Sequence, residues 1–411
     1  MHIDYSFIAS SPLDIITGML VYTIPFKERS YIDIDRPYGF EVSERVLSYD
    51  TKSLFIVLTT TYMHNPNPRY VQCSSPIYIV KKVSMDTLSM CKTLTKLLNC
   101  SKCLFLGLKE ANAIAYQVAL LYGCPNVVPV YVRDKNLEAI FWQCRIEQLT
   151  HHGNRFRLLV HVRNIETFIR RLNKLKALKR ILNFFGYQRF GSKRPISHLI
   201  GRAIVKREWD EAIRFLCNEA MPHENAKIIT SRIAWAYSVN PNRSLLTMFP
   251  EGRVCHSTTS SLRALQILPK ELLTLYVNAY QSYLFNLALS CTWITKIRDL
   301  GYDLDSSIQA LSKLTIPLIG YRRLAINDSV VEYCYERILN SEMIDSELFN
   351  ISELKIRVSG GYRAALFEVL DIHYRTTNKE RQVLTLKVEL PRGTYVTTLL
   401  RELAKNPIDF T

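Results

Sequence analysis

Short β-branched segments occur towards both ends of this 411-residue chain and not through its middle, and that division limits the folds open to it. Residues 53 to 60 (SLFIVLTT) and 77 to 82 (IYIVKK) have the length and composition of strands, with the turn-rich MHNPNPR around Pro66 and Pro68 between them. Leu88, Met90, Leu94 and Leu97 space a helix over Thr87 to Leu98, and an apolar strand, Cys103 to Leu106, follows and ends at Gly107. In Arg155 to Arg163, Phe156, Leu158, Val160 and Val162 alternate with mostly polar residues, the pattern of a half-buried strand. From Ile204 to about Met343 the pattern is helical, over Trp209 to Asn218, Leu262 to Leu268, Leu272 to Leu300 and Ser306 to Leu314. Strand-like segments return at Leu354 to Val358, Ala365 to Leu370 and Val383 to Leu390, before a short helix from Thr397 to Ala404. The expected fold is therefore mixed α/β (α+β), with a mainly helical block interrupting it.

Charge is the second constraint. Lys and Arg number 53 against 37 Asp and Glu, a net +16, and the stretch from Arg163 to Arg207 holds thirteen of the cations and one acid, Glu166. A field so concentrated suits a polyanion better than a small acidic metabolite, and it makes binding depend on salt. Within it, Ile165 to Leu182 reads as one helix with an apolar stripe at Ile165, Phe168, Ile169, Leu172, Leu175, Leu178 and Leu182. Arg170, Arg171, Lys174, Lys176 and Lys179 fill the remainder, as either an ordinary solvated face or a phosphate-tracking one.

The ten cysteines are scattered, which is the pattern of reduced intracellular thiols rather than of a disulfide framework. Cys100 and Cys103 form a lone C-x-x-C with neither a second pair nor a nearby His, so no metal site is expected. No segment reads as a leader or a membrane span, and the protein is expected to be soluble and cytoplasmic. Walker, Rossmann, nucleophile-elbow and H-E-x-x-H motifs are all absent, which argues against ATP use, hydride transfer, serine hydrolysis and zinc proteolysis.

Four segments have the composition of a site. Gly107-Leu108-Lys109-Glu110 puts a lysine and a carboxylate side by side at a strand end, where a sheet can hold a reacting group at a cleft, although surface ion pairs look the same. Asn154 and Phe156, in Gly153-Asn154-Arg155-Phe156, can bond a base edge and stack on its face, or be turn and core residues. Asn183 to Gly191 (NFFGYQRFG) mixes aromatics, glycines and Arg189, as RNA sites and domain junctions both do. Asn278 to Asn286 (NAYQSYLFN) extends an apolar helix and reads as packing.

Together these segments resemble the TruD family of tRNA pseudouridine synthases, whose motifs occur here in the family's order and at compatible spacing. They are GLKEANAIAYQ at Gly107 to Gln117, GNRF at Gly153 to Phe156, NFFGYQRFG with SHLIGRAI following, NAYQSYLFN, and LPRGTYVTTLLREL at Leu390 to Leu403. A weaker match, FEVSERV, begins at Phe40. The resemblance implies a pseudouridine synthase core over residues 1–191 and 352–411 and a mainly helical TRUD insertion domain over 192–351. It implies isomerisation of uridine to pseudouridine in tRNA, at uridine 13 or at uridine 35 of the tyrosine tRNA, with no cofactor and no metal.

By the same resemblance Glu110 is the catalytic carboxylate, and Phe40, Lys109, Asn154, Phe156, Gln188 and Arg189 serve the substrate. Arg170, Arg171, Lys174, Lys193 and Arg194 would meet the RNA backbone. One departure stands out: the family's turn reads G-x-K-D, and this chain has glutamate where the aspartate is expected. A second reading follows from it, a tRNA-binding protein or RNA folding helper that keeps the basic cleft without efficient chemistry.

Overall fold

Alternation at period two in the strand Pro76–Val83 sends Ile77 and Ile79 to one face of a sheet and Tyr78 and Val80 to the other, and each face is covered by a helix. Thr51–His64 packs Phe55 among Val46, Ile77, Ile79, Val118 and Ile140, while Thr87–Leu98 packs Met90, Leu94 and Leu98 against Tyr78, Val80, Ala119 and Leu121. The computed structural model describes residues 4–26, 28–144, 149–191, 194–221, 224, 229, 255, 260–378 and 380–407. Eleven described strands form this sheet, eight of them along the path Asp371–Asn378, Val383–Pro391, His151–Val162, Phe40–Val46, Ile114–Tyr122, Pro76–Val83, Leu137–Cys144, Tyr131–Asp134, with Ile32–Asp33, Tyr49–Asp50 and Lys102–Phe105 paired off it. Neighbours on the path are antiparallel except Phe40–Val46, which runs parallel to Ile114–Tyr122, so the sheet is mixed.

The segment 53–60, expected as a strand, is helical. Asp50 caps the helix by accepting from the Ser53 N–H at 3.0 Å, and the apolar face of Phe55 holds it on the sheet while Ile56 and Val57 stay exposed. A cap and one buried face outweigh the modest strand preference of β-branched residues. The basic helix ends at Leu178, earlier than its apolar stripe suggested. Lys179 takes a left-handed conformation (φ 56°), and Arg180–Leu182 continues as a strand beside Leu366–Glu368.

The chain divides into two compact units, one of Ser30–Lys179 and Glu368–Val396, the other of Met1–Arg29, Arg180–Phe367 and Thr397–Thr411. The division differs from the 1–191, 192–351 and 352–411 partition expected above, because N- and C-terminal segments pack with the helical block. In that second unit Lys270–Asp299 crosses Ser197–Val205 at Gly201, where a Cβ would lie 2.0 Å from the carbonyl oxygen of Tyr276. The glycine of SHLIGRAI is thus required by helix contact. Buried Arg401 donates to Asp14 at 2.7 Å and to the carbonyls of Met19 (2.7 Å) and Val21 (3.1 Å), and its guanidinium lies over the Tyr22 ring. Tyr22 and Tyr187 both donate to the Asp14 carboxylate, so one buried charge pair gathers an N-terminal, a central and a C-terminal segment.

All ten cysteines are paired, in place of the reduced thiols expected: Cys73–Cys144, Cys91–Cys103, Cys100–Cys124, Cys217–Cys255 and Cys291–Cys334. Cys100 and Cys103 of the C-x-x-C go to different partners. Among the described residues, no helix is long and apolar enough to cross a membrane.

The denatured protein should show no thiols to a thiol-specific reagent until reduced. Reduction should then destabilise the fold, since closed loops of 71 and 43 residues each contribute about 4 kcal/mol in the chain-entropy model. Arg401→Met should lower stability by about 3 to 5 kcal/mol in denaturant titrations, because it leaves the Asp14 charge buried without its cation.

Candidate active site

Pairing register brings the first site residues together. Asn154 stands opposite Glu44, Phe156 opposite Val42 and Leu158 opposite Phe40, so alternation places Phe40, Glu44, Asn154 and Phe156 on one face of two adjacent strands. Gly153 allows this approach: a Cβ there would sit 2.2 Å from the Leu390 carbonyl oxygen on the next strand. Phe40 and Phe156 meet edge to face, with ring centroids 6.2 Å apart, and Phe156 is 7% exposed.

Glu44 is fully buried, and its two oxygens take different partners. Oε2 accepts from the Val118 N–H at 2.8 Å, and Oε1 lies 2.6 Å from the Lys109 ammonium. That ion pair draws in the turn between Lys102–Phe105 and Ile114–Tyr122, which carries Glu110. The Lys109 N–H donates to Thr87 Oγ1 at 3.0 Å, and the Lys82 ammonium donates to the Glu110 carbonyl at 2.9 Å. The Glu110 carboxylate accepts from the Asn112 N–H at 3.4 Å and lies 3.6 Å from the Arg36 guanidinium. Its side chain keeps 21% of its surface exposed, and Arg36 also lies over the Phe40 ring at 4.5 Å. Glu110, Arg36, Phe40 and Phe156 therefore form a chain of neighbours running from a carboxylate to an aromatic pair.

The His151 and Asn154 side chains are hydrogen-bonded neighbours on this face. Burial holds the His151 imidazole below its usual pKa, with Glu44 opposing that shift. An amide beside an aromatic pair has the donor and acceptor groups that a nucleobase edge can meet. Along the same sheet, Arg157, His373, Arg375 and Lys387 line an open groove, a local surplus of positive charge.

Gln188 and Arg189 belong to the other unit, where Arg189 donates to Ser282 Oγ at 3.1 Å. Arg170 and Lys174 are exposed on their helix. Arg171, expected on the same solvated face, is 7% exposed, because it lies three residues after Phe168 and four before Leu175 and so falls on the buried stripe. Arg194 caps the helix Trp209–Cys217, donating to the carbonyls of Phe215, Leu216 and Glu219, so its donors are turned inward rather than toward a phosphate. Lys193 lies outside the described residues. Arg36, Glu44, Lys82 and Thr87 had no place in the sequence reading; Glu44 alone had a signal, as the acid that closes FEVSE.

A family model described as tRNA pseudouridine synthase D (TruD) matches residues 49–300 and 306–403. The chain is 30% identical over 380 residues to a protein of Sulfurisphaera tokodaii named "Probable tRNA pseudouridine synthase D", covering 90% of this chain and 93% of that one. A protein of the same name from Saccharolobus solfataricus is 27% identical over 409 residues, covering 97% and 99%. A crystal structure titled for tRNA pseudouridine synthase D (TruD) from Methanosarcina mazei matches with a TM-score of 0.66 and 21% identity over 97% of this chain and 98% of that one, a likeness of fold.

Lys109→Met should cost about 3 to 5 kcal/mol in a denaturant titration, since Glu44 would stay buried without its cation. Glu44→Gln combined with Lys109→Met should recover part of that loss.

Proposed function

The chain belongs to the TruD family of tRNA pseudouridine synthases, and from that premise we propose that Glu110 is the nucleophilic carboxylate with which this isomerase acts on uridine in tRNA. The observation that carries the reading is the placement of Glu110: a partly exposed carboxylate on a pinned turn, paired with Arg36, which in turn stacks on the Phe40 of the Phe40–Phe156 pair. In the reaction the bond from ribose C1′ to N1 breaks with help from the carboxylate. The base turns, C1′ bonds to C5, C5 loses its proton and N1 gains one. Phe156 would stack the extruded base and Asn154 would meet its edge, with Phe40 behind Phe156. Gln188 and Arg189, and the exposed Arg170 and Lys174, complete the proposed set of RNA-binding groups, with Lys193 retained from the sequence pattern alone. Uridine 13 is the proposed target, with uridine 35 of the tyrosine tRNA as the second. Residues 192–351 are read as the family's insertion domain, and the cytoplasm as the place of reaction.

Glutamate in place of aspartate adds a methylene and one rotor. Misplacing a reacting group by about 1 Å can cost on the order of a hundredfold in rate, so the neighbours of this carboxylate matter more than they would for the shorter acid. Arg36 and the Asn112 N–H supply two such neighbours. The glutamate also favours a second reading, a tRNA-binding protein without efficient turnover.

Pseudouridine mapping of unmodified tRNA transcripts separates the two. Wild type should form product at one uridine, Glu110→Ala should form none, and Phe156→Ala should slow the reaction by about tenfold or more. Product from Glu110→Asp alone would establish the binding reading instead. No product from wild type or from Glu110→Asp at stoichiometric protein would sink the synthase reading.

A further inference from the structure

We propose that Lys82 is a positioning residue for the reaction at Glu110, its ammonium bracing the catalytic turn through the backbone carbonyl of Glu110 itself. The proposal rests on the reading of Glu110 as the nucleophile. Lys82 closes the IYIVKK strand and shares the face of Tyr78 and Val80, and it is fully buried. A lysine in that place must spend its charge on protein groups. Its Nζ donates to the Glu110 carbonyl at 2.9 Å and to the Met85 carbonyl, joining the catalytic turn to the loop before Thr87–Leu98. The start of that helix already accepts the turn at a second point, through Thr87 Oγ1 and the Lys109 N–H, and Glu44 holds the Lys109 side chain at a third. The Lys82 bond holds residue 110 by its own backbone. Fixing that carbonyl fixes the direction in which the carboxylate leaves the chain, which matters more for glutamate than for the shorter acid.

Charge decides how firm this bond is, since an ammonium donates more strongly than an amine. Burial pushes the Lys82 pKa down from its ordinary 10.5 to about 8; Glu110 and Asp86 oppose the shift and Lys109 adds to it. The paired positions on the two neighbouring strands, Leu137 and Ala115, bring no charge. As pH rises through about 8, Lys82 therefore loses its proton and the turn loosens. The linked effect on stability has the opposite sign. Between about 8 and 10.5 the unfolded chain binds the proton that folded Lys82 has lost, so this group makes the fold more stable as pH rises. Falling activity with unimpaired stability is a signature that a purely structural lysine would not give.

The test is single-turnover pseudouridine formation on a tRNA transcript by the full chain, from about pH 6.5 to about pH 9, for wild type, Lys82→Met and Lys82→Arg. Transcript affinity and amide hydrogen exchange of residues 107–113 are measured in parallel. Wild type should lose rate above about pH 8 without loss of thermal stability. Lys82→Met should be slower by about tenfold or more at neutral pH, bind the transcript within about twofold of wild type, lack that alkaline limb and exchange faster over 107–113. Lys82→Arg should recover part of the rate. A Lys82→Met protein with wild-type rate, with the same limb, or with unchanged exchange over 107–113 would overturn the proposal. If Lys82→Met does not fold, a wild-type rate that stays flat through about pH 8 overturns it. If wild type forms no product, it is the reading of Glu110 that fails, and the exchange over 107–113 still decides whether Lys82 braces the turn.

Discussion

A carboxylate buried inside a sheet must find its partners there, and much of the site follows from how Glu44 does so. The parallel pairing of Glu41, Val42 and Ser43 with Ile114, Ala115 and Tyr116 ends just before Glu44, and its side chain takes the Val118 N–H at that point. The other oxygen needs a cation, because an ionised group without one pays a large desolvation cost. Lys109 supplies it, and thereby fixes the residue beside Glu110 against the strand that also carries Phe40. Asn154 faces Glu44 by register. One buried ion pair thus sets the spacing between the turn, the aromatic pair and the Asn154 amide.

Period-two alternation was enough to find the strand around Phe156, because it is half-buried and a slip of one residue would turn it inside out, whereas the strand around Ile79, buried on both faces, was found by its length and β-branched composition. The helix at Thr87 to Leu98 was legible from periodicity too, at its own period. What misled was composition without context: SLFIVLTT looks like a strand until Asp50 is seen as a cap, and Arg171 looks solvated until its spacing to Phe168 and Leu175 is counted. The carboxylate turn and the amide with its aromatic could be picked out, since motif and register agree there. Arg36, Lys82 and Thr87 could not, because each acts on Glu110 or on Lys109 across a gap in sequence that only the folded sheet closes.

Several residues in the segments that announced the family do structural work. Gly153 and Gly201 sit where a Cβ would strike a carbonyl, and the last residue of NAYQSYLFN, Asn286, donates to the Thr17 and Phe185 carbonyls while accepting from the Phe185 N–H. Tyr187 and Arg401 belong to the buried network at Asp14. A motif of this kind marks a position where the fold tolerates few residues, and a reacting group is only one reason for that.

The cysteines bear on the same question of rigidity. Each pair lies within a single unit, and three of the five surround the scaffold of the turn that carries Glu110. Cys91–Cys103 ties the helix Thr87–Leu98 to the strand that leads into the turn, Cys100–Cys124 closes the far end of the hairpin, and Cys73–Cys144 fastens the loop before Pro76–Val83 to the strand beside it. Cytoplasmic proteins seldom carry such bonds, the intracellular proteins of hyperthermophilic archaea being the known exception. A longer acid has more ways to point wrongly, and a turn fed by cross-linked strands and held by Glu44, Thr87 and Lys82 leaves it fewer. The covalent restraints hold the strands that flank the turn and the electrostatic ones hold the turn itself, so both limit how far the Glu110 carboxylate can be displaced.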